Sequence, residues 1–152
     1  MRGMFILGTG LVVRNNVTVK GAALILGRAL RGQSGSIYMA LVRGAYEPEV
    51  LLTSLVEPTI GVNGYARQEI ASPSDWTGPV ESDSCAYVAS NEKTFAASGG
   101  DFDQAIRRVA LLDHPTSNTA NVLALSSPLP ADLTIGPATP LVDRTFEYRL
   151  YL

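Results

Sequence analysis

The chain has 152 residues, enough for one domain with a proper core and too few for two full enzyme domains. Charged residues make up only 17%, against about 25% in a typical soluble protein, and the net charge of −2 supplies no basic excess for a phosphate backbone, so general nucleic-acid binding is not expected. One cysteine excludes an intramolecular disulfide framework, one cysteine with one histidine cannot make a thiol–imidazole zinc site, and no apolar run reaches the roughly 18–20 residues of a membrane helix, so no membrane partner is expected either.

The first segment, Met1 to Val13, places Arg2 before an apolar stretch, as a secretion signal does. Three glycines interrupt it, and no clear small-x-small cleavage site precedes Arg14-Asn15-Asn16. We expect residues 1–16 to be an apolar arm, a strand or an extension docked on a neighbour, followed by a single β-rich domain over 17–152. Gly8-Thr9-Gly10 is similar to the start of a dinucleotide-binding loop, but Val13 stands where the third glycine belongs, so the fingerprint fails. Residues 18–31 are predicted to form the only long helix. Thr18 can cap it, Arg28 and Arg31 complement the dipole in the last turn, and Gly32 can take the left-handed stop conformation. Leu26 and Leu30 share one face, and Ala22, Ala23 and Ala29 let that face approach closely.

From residue 36 onward the period changes from helix to strand. Strands are expected over 36–42, 65–70 (after the Asn63-Gly64 turn signal), 85–89, 93–96, 105–112, 122–125, 133–135 and 144–152. Residues 46–62, which carry Pro48 and Pro58, read mainly as a long loop, and 72–79 as another. About seven or eight short strands without alternating helices predict an all-β, mainly antiparallel fold, a β-sandwich or a jelly-roll-like barrel, with one N-terminal helix. The closing strand sets Phe146, Tyr148, Leu150 and Leu152 on one side, and such a strand belongs inside a sheet or against another chain.

Catalytic hardware is sparse. His114, the only histidine, lies between Asp113 and Pro115 at a turn, and no serine sits in a G-x-S-x-G elbow. Cys85 lies in an expected strand and reads as a structural thiol. Gly99-Gly100-Asp101-Phe102-Asp103 lacks the alternating ligands and distal glutamate of a calcium loop, and Glu81-Ser82-Asp83 is no better. Trp76, placed in a loop, offers a ring for sugar stacking but more commonly such a residue seals a core edge. We therefore expect no enzyme, no cofactor and no metal. Ten arginines stand against two lysines, Lys20 and Lys93, a bias that suits a surface spent against partners.

The order of segments resembles a family of tailed-bacteriophage virion proteins, often labelled tail-fibre or minor structural proteins. The pieces that carry the resemblance are Ala29-Leu30-Arg31-Gly32, Ile37-Tyr38-Met39-Ala40-Leu41, Asn63-Gly64-Tyr65-Ala66-Arg67-Gln68, Val109-Ala110-Leu111-Leu112-Asp113, Asn121-Val122-Leu123-Ala124-Leu125 and Phe146-Glu147-Tyr148-Arg149-Leu150. The resemblance spans about residues 20–152, and its clearest motif is Gly64-Tyr65-Ala66-Arg67-Gln68. The longer apolar N-terminal segment and the long Glu47–Glu57 loop depart from the pattern. The resemblance implies a non-enzymatic β-rich module of the virion. The expected function is capsid decoration, a cement protein trimerising with copies of itself and binding the major capsid protein between capsomers. A tail-fibre or tail-adaptor component is the alternative, and a carbohydrate-binding module the second. Interface residues would come from the arm and the closing strand: Met4, Phe5, Ile6, Leu7, Val12, Val13, Phe146, Tyr148 and Leu150. On that reading, removing residues 1–13 leaves a folded protein that no longer joins particles.

Overall fold

A computed structural model describes residues 2–32, 34–44, 55–82 and 85–151. It is mostly antiparallel sheet with one helix, as the strand pattern predicts. Among the described residues the strands are β1 (Arg2–Leu7), β2 (Val12–Val17), β3 (Ile37–Gly44), β4 (Leu55–Val56), β5 (Gln68–Ile70), β6 (Trp76–Ser82), β7 (Cys85–Ser90), β8 (Lys93–Thr94), β9 (Arg108–Leu112), β10 (Val122–Ser126) and β11 (Thr145–Tyr151). The helix α1 spans Val19–Arg31 between β2 and β3.

All the strands belong to one sheet that curls into a near-closed barrel, rather than to two sheets packed face to face. Its order is β4-β3-β9-β10-β2-β1-β11-β7-β6, with β5 also on β3 and β8 on β11. Strands β5 and β6 stand at opposite ends of this path yet are joined by the short turn 71–75, which brings the two edges of the sheet round to each other. Asp75 holds the turn: its carboxylate accepts the Ala71 N–H at 3.0 Å and the Lys93 ammonium at 2.6 Å.

Three expectations about elements are corrected. Residues 2–17 are no arm. They are β1 and β2, a hairpin laid into the middle of the sheet, with β1 paired to β11 from Arg2↔Tyr151 to Leu7↔Phe146. Alternating Gly3, Phe5 and Leu7, with Val13 and Asn15 opposite, gives the hairpin a buried face that only the barrel interior can receive. Residues 72–79 are not wholly loop, since β6 begins at Trp76. Leu133–Ile135 makes a single bridge, Ile106↔Leu133, in place of a strand. Of the expected loop 46–62, residues 46–54 lie outside the described residues.

Strands β9 and β10 are buried on both faces, which explains their nearly unbroken apolar sequences, RVALL and VLALS. The inner face contributes Val109, Leu111, Leu123 and Ala124 to the main core with Phe5, Tyr65, Phe95, Phe146 and Tyr148. The outer face forms a second cluster, in which Ala40, Val42, Ala110, Leu112, Val122 and Leu125 pack with Ala120 of the 113–121 loop.

The helix is seated by an irregularity in β10. Register slips between Val122 and Ala124, which turns the Val122 and Leu123 carbonyls away from the ladder. The Thr18 hydroxyl donates to Val122 O at 2.7 Å, and the Thr18 N–H donates to Leu123 O at 3.0 Å. The same hydroxyl oxygen accepts the Gly21 N–H at 3.0 Å, so one side chain caps α1 and anchors it. Gly21 then lies over Leu123 so closely that a Cβ there would stand 2.1 Å from the Leu123 carbonyl oxygen. Gly32, at φ 63°, closes the helix in the left-handed conformation.

Candidate functional site

The residues expected to form an interface are mostly spent inside the chain. Phe5, Leu7, Val13, Phe146, Tyr148 and Leu150 are buried in the main core, while Met4 and Ile6 are half-buried on the other face of β1. Val12 alone of the set is well exposed. The structure thus brings Phe5, Leu7, Val13, Phe146, Tyr148 and Leu150 together as one packed group, with the Phe5 and Tyr148 rings 4.9 Å apart. Their alternation marks a core-facing strand, and alternation by itself cannot say whether the covering surface belongs to the same chain.

The Gly64-Tyr65-Ala66-Arg67-Gln68 motif sits at a buried polar network. Arg67 forks onto Glu57, its Nε to Oε1 at 3.0 Å and its Nη2 to Oε2 at 2.9 Å. The remaining guanidinium donors reach His114 O at 2.6 Å and Ser117 O at 3.0 Å. The Tyr65 hydroxyl donates to Glu57 Oε1 at 2.7 Å and accepts the Leu41 N–H at 3.1 Å. Burial, and then the adjacent Glu57 carboxylate, push the Tyr65 phenol well above its ordinary pKa. Sequence reasoning missed Glu57 because it lies in a segment read as loop, eight residues before Tyr65.

Other polar residues have structural partners. His114 Nδ1 accepts the N–H groups of Thr116 at 3.1 Å and Ser117 at 2.9 Å, so the histidine folds its own turn. Asp113 ties off the same loop through the Asn121 N–H and carboxamide at 2.8 and 2.6 Å. Asp103 caps Thr59, and the Asp101 carboxylate lies against Gly136. Among the described residues no group of three or more His, Cys, Asp or Glu side chains is arranged to hold a metal ion. Cys85 is half-buried in β7.

An apolar pocket of about 300 Å³ lies between α1 and the inner face of the sheet. Its floor and walls are Ile37, Leu111, Leu123, Ala124, Tyr148 and Leu150, all nearly or fully buried. The helix closes it from above with Leu24 and Ile25, half a turn away from the exposed side. Arg28, Ser72 and Trp76 are half-buried lining residues and mark the mouth. Trp76 packs against the main core and meets Tyr148 in a T-shaped contact, with centroids 6.2 Å apart at 83°, so its ring borders the pocket. Burial pushes the Tyr148 phenol up to about 12, against a downward pull from the adjoining Asn15 side chain. Burial also lowers the pKa of Arg28, which among the described residues has no ion-pair partner.

Outside the pocket, the helix exposes the face that carries Leu26 and Leu30. Leu26 is 50% and Leu30 78% exposed, and exposed Val19 and Ala23 extend the stripe at spacings of four, three and four. The face expected to approach a neighbour closely is therefore not the face that docks on the sheet. Gly21 decides this, because only that side of α1 can pass over the Leu123 carbonyl. A second exposed apolar group, Leu11, Val12, Leu141 and Val142, surrounds the β1–β2 turn, where Gly8 abuts Val142. Compared with protein-family models, curated proteins and solved structures, the chain matches none.

Proposed function

We propose that the protein is a virion structural component, a capsid decoration protein that assembles with copies of itself and with the major capsid protein. The observation that carries this reading is the exposed stripe Val19-Ala23-Leu26-Leu30, whose spacing is that of a helix seam. Large apolar side chains held in water at regular helical spacing mark an association surface. The low charge, the arginine-over-lysine bias and the resemblance around Gly64–Gln68 support the same reading. Binding works by mass action: a protein that engages the assembled lattice but not its separated parts stabilises the lattice, and many copies multiply the effect. With β1 and β2 built into the barrel wall, association falls to α1 and to the Leu11–Val12 and Leu141–Val142 end in place of a terminal arm.

The test is copy number per particle, measured by quantitative mass spectrometry against the major capsid protein. Hundreds of copies are expected. A dozen or fewer would assign the chain to the tail, and absence from purified particles would overturn the reading.

A further inference from the structure

The pocket beneath α1 differs from an ordinary packing defect in three ways. It is open at one side, it is lined almost entirely by apolar side chains, and its mouth holds a cation. About 300 Å³ lies at the small end of ligand pockets and accommodates on the order of ten non-hydrogen atoms at the roughly 30 Å³ that a water occupies in the liquid. That excludes a two-chain lipid or a large ring system and fits one short hydrocarbon chain. No acidic residue lines the pocket, and among the described residues no carboxylate pairs with Arg28. The Arg28 Nη2 stands 3.4 Å from where a Gly35 Cβ would be, and Ser72 is the other polar side chain at the half-buried part of the lining. A half-buried guanidinium at the edge of an apolar space matches a carboxylate, which it can meet with two parallel N–H donors.

We propose that this pocket binds a medium-chain monocarboxylate, with its hydrocarbon chain between Ile25, Leu123 and Leu150 and its carboxylate on Arg28 and Ser72 at the mouth. Charge complementarity selects the acid over the neutral alcohol, and the volume selects a chain of about ten heavy atoms. Trp76 reports occupancy directly, because it is the only tryptophan and borders the pocket. This inference does not rest on the assembly reading, since its readouts work on a monomer as well as on an oligomer.

The experiment titrates the full chain with decanoate and, separately, with decanol, below their micellar or solubility limits, while following Trp76 fluorescence. A saturable change with one decanoate per chain, and weaker binding of decanol, is expected. Arg28→Gln should weaken decanoate by about tenfold and leave decanol within about twofold, because only the acid loses a charge-assisted contact. Ile25→Phe fills the space without adding a second tryptophan and should abolish binding of both ligands, with circular dichroism verifying the fold. Hydrogen exchange on the unaltered chain locates the ligand without any substitution, and slowed exchange in α1 and β10 is expected. No saturable change, equal affinity for acid and alcohol, an unaffected Arg28→Gln variant, or protection confined to elements other than these would each overturn the proposal.

Discussion

Arg67 shows how one residue can tie distant segments together. Its side chain is 1% exposed and joins Glu57 to the carbonyls of His114 and Ser117, so a loop, the approach to β5 and the 113–121 turn share one guanidinium. Removing one partner leaves the other charge buried and unpaired, so Arg67→Ala should cost about 3–5 kcal/mol in urea unfolding. Arg67→Lys should recover little of this, because an ammonium cannot fork onto Glu57 while reaching two carbonyls. A loss under about 1 kcal/mol for Arg67→Ala would show the network to be incidental. Tyr148 gives a prediction in pH. Its folded pKa of about 12 lies above the ordinary value of about 10, so its neutral form is favoured in the fold. Its contribution is fully present below about pH 10 and is lost as pH rises toward about 12. Melting temperature should therefore fall steeply across that interval, and Tyr148→Phe should flatten the fall. Tyr65, raised in the same direction, adds to the slope.

Gly21 decides how α1 sits on the sheet. Alanine is the better helix former by about 1 kcal/mol, yet a Cβ at 2.1 Å from the Leu123 oxygen is impossible without moving the helix and breaking the Thr18 contacts. The steric term dominates, and Gly21→Ala should destabilise by about 1–3 kcal/mol, measured by thermal or urea unfolding. A stabilised variant would mean that the helix floats free of β10. Sequence reading anticipated Thr18 as cap and Gly32 as stop because capping is local chemistry. It did not anticipate which face docks, because both sides of α1 are apolar and a carbonyl contact 104 residues away chose between them. The same limit applies to β1. Its apolar alternation was legible, but whether a neighbour or its own chain covered it depended on pairing with β11. Deleting residues 1–13 should therefore abolish folding, seen as loss of the β-sheet signal in circular dichroism, because it removes a central strand. A folded truncated protein would contradict the placement of β1. Strand β6 escaped notice because Gly78 and Pro79 sit inside it, residues that ordinarily interrupt strands, and its pairing to β7 slips in register between Thr77 and Val80.

For the molecule as a whole, inside and outside have separate tasks: a barrel whose inner face is lined by the main core and holds the pocket under α1, and an outer surface with few charges and, among the described residues, exposed apolar side chains that include the α1 stripe and the Leu11–Val142 end. Association through α1 predicts that Leu26→Glu with Leu30→Glu gives a monomer by light scattering with a melting temperature close to that of the parent chain, since neither side chain supports the core. An unchanged oligomer would move the contact surface to the Leu11–Val142 end. The antiparallel partnership of β1 with β11 carries a kinetic meaning of its own. Arg2 lies opposite Tyr151, so these two neighbouring strands are separated in sequence by every other element of the fold. Such a pairing closes a loop that runs from β1 through every other element to β11, and slow folding follows from that high contact order. A circular permutant joining residue 151 to residue 2 through a short link, and opened in the exposed segment around Ser98–Gly99, turns this pair into a local hairpin. It should refold faster than the parent chain at similar stability.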